Sequence, residues 1–119
     1  MADTDEEINK GIKLKKDRYR NIRGGEAHLL DIFCVKCNNL LMKYQKDGRG
    51  NLIRCYLNRV MFPPNLENLQ YNFSLQNVKD LPNLECSQCK TVIGTKMVYD
   101  DGRPAFRLIR GSYYKRILL

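Results

Sequence analysis

The sequence has no tryptophan and a single histidine, His28. It has four prolines, and no apolar run approaches the roughly 18 residues that a membrane-crossing helix needs. These absences exclude a helical membrane span and make an aromatic cage built on indole rings impossible. A catalytic centre that draws on several imidazoles is excluded as well. The opening segment, Met1 to Glu7, is acidic and polar. A secretory signal instead starts basic and turns apolar, so the expected location is the reducing cytoplasm. In that compartment regularly spaced cysteines read as metal ligands before they read as disulfides.

What is present is charge and cysteine. The 119 residues carry 21 lysines and arginines against 13 acidic residues, a net charge of +8, and five cysteines. The length fits one domain. A hydrophobic share of 43% and a mean hydropathy of −0.52 leave a thin core, the circumstance in which small domains recruit a metal. The positive excess is uneven: residues 1–25 net +2, residues 26–85 net +1, and residues 86–119 net +5.

Residues 1–25 read as a charged N-terminal arm, flexible or forming a short helix. Thr4 and Glu7 have the spacing of a capping box, and Ile8, Ile12, Tyr19 and Ile22 fall roughly on one helical face. Gly24-Gly25 closes the arm, and residues 26–119 are expected to form the folded domain.

Within that domain a unit recurs. Cys34-Val35-Lys36-Cys37 is followed by Leu40-Leu41 and then Asp47-Gly48-Arg49. Cys86-Ser87-Gln88-Cys89 is followed by Val92-Ile93 and then Asp101-Gly102-Arg103. The two units are offset by 52 positions. Asp-Gly between β-rich runs is a hairpin signal, because glycine accepts positive φ. Each half is therefore expected to be a cysteine turn followed by an antiparallel hairpin. Further strands are expected at Ala27–Phe33 and from Tyr113 to Leu118. The stretch from Met61 to Pro82 reads as a loop with a short strand at Tyr71–Leu75. The fold class expected is mostly β, in two pseudo-repeats pinned by one four-cysteine site.

Zn²⁺ takes four soft or borderline ligands in a tetrahedron, and a C-x-x-C turn presents two thiolates on one side of a tight loop. Cys34, Cys37, Cys86 and Cys89 supply the set without remainder. Forty-eight residues separate the pairs, so the metal would close a long-range contact between the halves. Iron in a four-thiolate site has the same spacing, and redox pairs or disulfides are the other uses of such cysteines. A four-thiolate tetrahedron has no open position, which argues a structural metal and no enzymatic role.

Cys55 is the odd thiol. Its counterpart in the second unit is Ile109, so it reads as a core-facing strand position, with a reactive cysteine beside Arg54 as the alternative.

Paired C-x-x-C turns about fifty residues apart, each followed by a hairpin, resemble the Mss4-like or β-tent zinc group. That group includes the Yippee domains, the thalidomide-binding domain of cereblon and the zinc-bearing methionine sulfoxide reductases. The resemblance covers Asp31–Leu119 and implies two antiparallel sheets pinned by one zinc ion. A zinc ribbon is the related alternative. The reductases carry Arg-x-Cys-x-Asn after the second pair. The nearest words here, Arg54-Cys55-Tyr56-Leu57-Asn58, precede it. The oxidoreductase alternative would use Cys55.

Near the C-terminal end Arg103, Arg107, Arg110, Lys115 and Arg116 interleave with Phe106, Tyr113 and Tyr114. Cations that neutralise phosphates beside rings that stack on bases suit single-stranded nucleic acid. The expected function is a non-catalytic zinc-dependent binding module whose basic surface contacts RNA or an acidic protein surface.

Overall fold

A computed structural model describes residues 14–19, 27–48 and 50–118. The capping box at Thr4, the helical spacing from Ile8 and the Gly24-Gly25 joint lie outside the described residues. The chain forms β1 (Ala27–Cys34), β2 (Leu40–Asp47), β3 (Arg54–Tyr56), β4 (Val60–Phe62), α1 (Pro64–Glu67), α2 (Leu69–Asn72), β5 (Leu84–Glu85), β6 (Val92–Val98), β7 (Pro104–Leu108) and β8 (Tyr113–Leu118). Two antiparallel four-stranded sheets result, one ordered β4-β2-β1-β8 and the other β3-β7-β6-β5.

Each cysteine turn joins two neighbouring strands of one sheet: Cys34–Cys37 links β1 to β2, and Cys86–Cys89 links β5 to β6. The two Asp-Gly pairs behave differently. Gly48 and Gly102 both have positive φ, at 93° and 89°. At Gly102 the expected hairpin closes. The Tyr99 amide donates to the Arg103 carbonyl at 3.0 Å, and β6 pairs with β7 from Gly94–Leu108 to Val98–Pro104. At Gly48 the chain leaves its sheet instead. β3 pairs with β7 in the other sheet, and β2 takes β4 as its outer neighbour. The turn residue supplies the conformation, but the partner is decided by where the apolar side chains of β3 find a core. Cys55 and Leu57 are both buried there.

The Met61–Pro82 region departs from expectation. Tyr71 lies in the short helix α2, and no strand forms at Tyr71–Leu75. Pro64 opens α1 at a position where its missing N–H costs nothing.

The core lies between the sheets. From β1 and β2 come Leu30, Ile32, Met42 and Tyr44, and from β6 and β7 come Ile93, Phe106 and Leu108, with Cys55 of β3 among them. Each sheet's inner face follows the alternation of its strands. On the other face of the first sheet Asp31 is buried. Lys43 Nζ donates to its Oδ1 at 2.8 Å, and Arg116 Nη2 donates to its Oδ2 at 2.8 Å. The three residues stand directly opposite one another on β2, β1 and β8.

Residues 14–19 pack against this body without helical structure. Lys15 Nζ donates to the Asn58 carbonyl at 2.6 Å, and the Lys15 amide donates to Gln45 Oε1 at 2.6 Å. Asp17 pairs with Arg59, whose side chain is fully buried and also donates from Nε to Asp47 Oδ2 at 2.6 Å.

Candidate metal centre

The two cysteine turns have the same backbone. In the first, the Cys34 amide donates to the Asn39 carbonyl at 2.9 Å and the Asn38 amide to the Cys34 carbonyl at 2.9 Å. In the second, the Cys86 amide donates to the Thr91 carbonyl at 2.9 Å and the Lys90 amide to the Cys86 carbonyl at 3.0 Å. The residue after each second cysteine is left-handed, Asn38 at φ 61° and Lys90 at φ 65°. That twist turns the chain back on itself, so both thiols of a pair emerge on one side. Asn tolerates this conformation well, and Lys less so.

The turns face each other. All four Sγ atoms lie within 4.8 Å of one another. Across the pairs, Cys34 Sγ is 3.6 Å from Cys89 Sγ, and Cys37 Sγ is 3.5 Å from Cys86 Sγ. Four sulfurs at about 2.3 Å from a zinc ion stand about 3.8 Å apart. The donor set therefore matches a tetrahedral thiolate site in count, element and span. All four cysteines are free thiols with no disulfide between them.

The electrostatics favour a cation. The hydroxyl and amide of Thr91 hold the Cys89 thiol down at about 6. Burial opposes ionisation of Cys86, yet the backbone amides of Cys89 and Gln88 outweigh it and keep that thiol below its ordinary value. Cys37 goes the other way. The Asn39 amide favours its thiolate, but burial and its neighbours Cys86, Cys89 and Cys34 push it up to about 12. Four negative sulfurs at this separation repel, and a central divalent ion removes the conflict. Cys34 and Cys86 are buried while Cys37 and Cys89 are exposed, so an ion has a route in from one side.

The connection between β7 and β8 braces both turns. The Val35 amide donates to the Ser112 carbonyl at 3.1 Å, beside the first pair. The Ile109 amide donates to the Ile93 carbonyl at 2.7 Å, beside the second. The cysteine cluster thus sits where the two sheets meet, and an ion held there would fasten one sheet to the other.

Cys55 is separate from this cluster. It is wholly buried in the core, and desolvation raises its thiol well above the ordinary range. A nucleophilic cysteine needs the opposite environment. The oxidoreductase alternative finds no support in this placement.

The five basic residues divide into two groups. Arg103 is buried, with Nε donating to Asp101 Oδ2 at 2.9 Å, and Arg116 pairs with buried Asp31. Arg107, Arg110 and Lys115 are exposed, and so is Arg116, whose side chain keeps 56% of its surface while it pairs with Asp31. Arg110 and Lys115 border one groove of about 590 Å³ together with Asn51, Ile53, Tyr113 and Tyr114. Sequence reasoning missed Arg59, Lys43 and Asp31. The trace of the last pair is a lone acid within the mostly apolar β1 and a lysine midway along β2.

Comparison of the chain with protein-family profiles, with curated proteins and with solved structures finds no match in any of the three. The structure carries two elements of the Mss4-like resemblance: four clustered cysteines and a small β-rich body. No helix among the described residues is long and apolar enough to cross a membrane.

Proposed function

We propose that the chain is a non-catalytic binding module of the Mss4-like kind. In this reading one zinc ion at Cys34, Cys37, Cys86 and Cys89 holds its two sheets together, and its basic β7–β8 surface takes single-stranded RNA. A closed four-sulfur set supports the structural role of the metal. Zinc has no redox chemistry to upset in a reducing compartment, and it accepts tetrahedral geometry without preference.

The observation that carries the RNA reading is the groove at the β7–β8 turn. Arg110 and Lys115 stand exposed on it beside Tyr114, which is 43% exposed, and Ile53, which is 51% exposed. Cations for the phosphates and a ring for the bases are the two requirements of a single-strand surface. The Tyr114 ring is backed by Phe33, stacked at 5.1 Å, and its hydroxyl donates to Asn38 Oδ1 at 3.0 Å. It is therefore held rigid beside the first cysteine turn, which links the presented surface to the metal.

Fluorescence anisotropy with a labelled single-stranded RNA, at several salt concentrations, tests this reading. Changing Arg110 and Lys115 to Gln together should reduce the slope of log K on log salt by about 1.4, since each phosphate contact on a single strand contributes about 0.7. Absence of binding at low salt, or binding indifferent to salt, refutes it. Recovery of an acidic protein instead of RNA from nuclease-treated extract would favour the alternative partner.

A further inference from the structure

Residues 51–53 line that groove and also a second cleft, of about 300 Å³. Its walls are Tyr44 and Lys46 from β2, Arg54 and Tyr56 from β3, and Tyr99 and Arg103 from the β6–β7 turn. Neither the metal nor the proposed RNA surface uses these residues.

The wall is cationic. Lys46, Arg54 and Arg103 line it with one carboxylate, Asp47, which is already engaged by Arg59 Nε and by Gln45 Nε2, while Lys46 Nζ donates to the Gly48 carbonyl at 3.2 Å. Arg54 forms no ion pair among the described residues. Its guanidinium lies 4.2 Å over the Tyr99 ring, and its one hydrogen bond, at 3.3 Å, goes to the Tyr56 hydroxyl. Arg103 is 8% exposed. Its guanidinium is sandwiched between Tyr19 at 3.8 Å and Tyr56 at 3.6 Å. Nε reaches Asp101, but Nη1 is buried with no hydrogen-bond partner. A buried guanidinium N–H without an acceptor is rare and costly in a folded protein.

The arrangement specifies what is missing. Two tyrosine rings stack on the Arg103 guanidinium and one on that of Arg54, which leaves their N–H edges as the groups to bind. Guanidinium edges match tetrahedral or planar oxyanions through paired charge-assisted bonds. With Arg103 already paired to Asp101, the cleft keeps Arg54 without an ion pair among the described residues and the unpartnered Arg103 Nη1, which suit an oxyanion. The volume lies at the lower end of small-molecule sites, enough for a phosphoryl group and a small substituent. Stacking by Tyr19 and Tyr56 fixes the Arg103 fork before any ligand arrives, which lowers the cost of ordering it.

We propose that this cleft is a phosphate-monoester site, with Arg54 and Arg103 binding the phosphoryl oxygens and Lys46 completing the positive wall. The recognised group is a terminal phosphate. It belongs either to a free small molecule or to the 5′ end of a strand. The proposal stands independently of the RNA reading, because internal phosphodiesters on the β7–β8 groove involve different residues.

The test is calorimetric titration of the metal-loaded full chain with inorganic phosphate, with ribose 5-phosphate and with ribose. Both phosphates should bind with dissociation constants below about 1 mM, and ribose should not bind. Arg54→Gln should weaken both phosphates about tenfold or more, the loss expected for one charged hydrogen-bond donor. Arg103→Lys keeps the charge and removes the fork, so it should weaken binding while circular dichroism and metal content stay as in the wild type. Lys79→Gln, at an exposed cation outside both clefts, should leave these affinities unchanged. No heat from either phosphate up to about 10 mM overturns the proposal, as does an Arg54→Gln variant that binds like the wild type. A short RNA with a 5′-phosphate binding more tightly than its 5′-hydroxyl form, in an Arg54-dependent way, assigns the phosphate to a strand end. Equal binding of the two forms, with ribose 5-phosphate still bound, assigns it to a small molecule.

Discussion

Replacing Cys86 by Ser should detach the two sheets from each other. Cys37 and Cys86 are 49 positions apart and belong to turns on different sheets, so an ion held by them would act as a cross-link closing a long loop. The chain-entropy estimate for a cross-link of that span is about 4 kcal/mol at 25 °C. The whole stability of a small domain is about 5–15 kcal/mol, so the loss is a large part of the total. Cys86 is buried, and Asn39 Nδ2 lies 3.6 Å from its sulfur. A serine hydroxyl there is a poor metal ligand in an enclosed position, which adds to the loss.

The assay is urea unfolding followed by circular dichroism, with metal content measured on the same samples. At a slope of about 2 kcal/mol per molar urea, a loss of 4 kcal/mol lowers the midpoint by about 2 M. Wild type purified without added metal should carry about one equivalent of zinc. Treating it with a chelator should bring its midpoint down to that of Cys86→Ser. Cys55→Ser is the control. It buries a hydroxyl in the apolar core at a cost of about 1–3 kcal/mol, yet it should keep its full metal content. Chelation that leaves the wild-type midpoint unmoved would refute the clamp, and so would a Cys86→Ser protein that still holds a full equivalent of metal.

Two other perturbations probe the charged parts of the fold. Asp31→Asn removes the carboxylate that faces both Lys43 and Arg116 and leaves the Lys43 ammonium buried without its counter-charge. Loss of one partner from a buried pair costs about 3–5 kcal/mol, so the urea midpoint should fall steeply. Restoration of stability in the Asp31→Asn, Lys43→Met double variant would confirm that the penalty is the orphaned charge. Asp17 is the pH-sensitive contact. Its hydrogen bonds from Arg59 hold its carboxyl below 3.8, so as pH falls the unfolded chain takes up this proton before the folded chain does. The contribution is complete above 3.8 and is lost as pH drops through the lower folded value. Asp17 is 40% exposed, so the effect should be about 1 kcal/mol or less. Midpoints of wild type and Asp17→Asn should differ at pH 6 and converge in acid; parallel curves would refute this assignment.

The metal site was legible because its chemistry is local and repeated. Two C-x-x-C turns carry their own geometry, including the left-handed residue after each pair, and only their meeting in space had to be inferred. Strands β1 and β8 were legible as the β-rich runs that open and close the folded domain. The connection after Gly48 was not. Asp-Gly determines that the chain turns, but the strand that receives it is chosen by long-range burial, and Cys55 and Leu57 are drawn into the space beneath the second sheet. The partners of the basic residues were hidden for a related reason. Charge in a sequence carries no sign of whether an acid stands across the strand, and Asp31 lies 85 positions from Arg116 while Asp101 lies two from Arg103. Arg116, still 56% exposed, is engaged through distant strand pairing, and Arg103 is withdrawn from the surface through a local turn. The second departure has the larger functional consequence. Withdrawing Arg103 from the surface sets it between two tyrosine rings, and that places a fixed guanidinium in the wall of a cleft whose other cations come from β2 and β3. A residue that the sequence assigns to an open RNA surface thus becomes a stacked, positioned element of the proposed anion cleft.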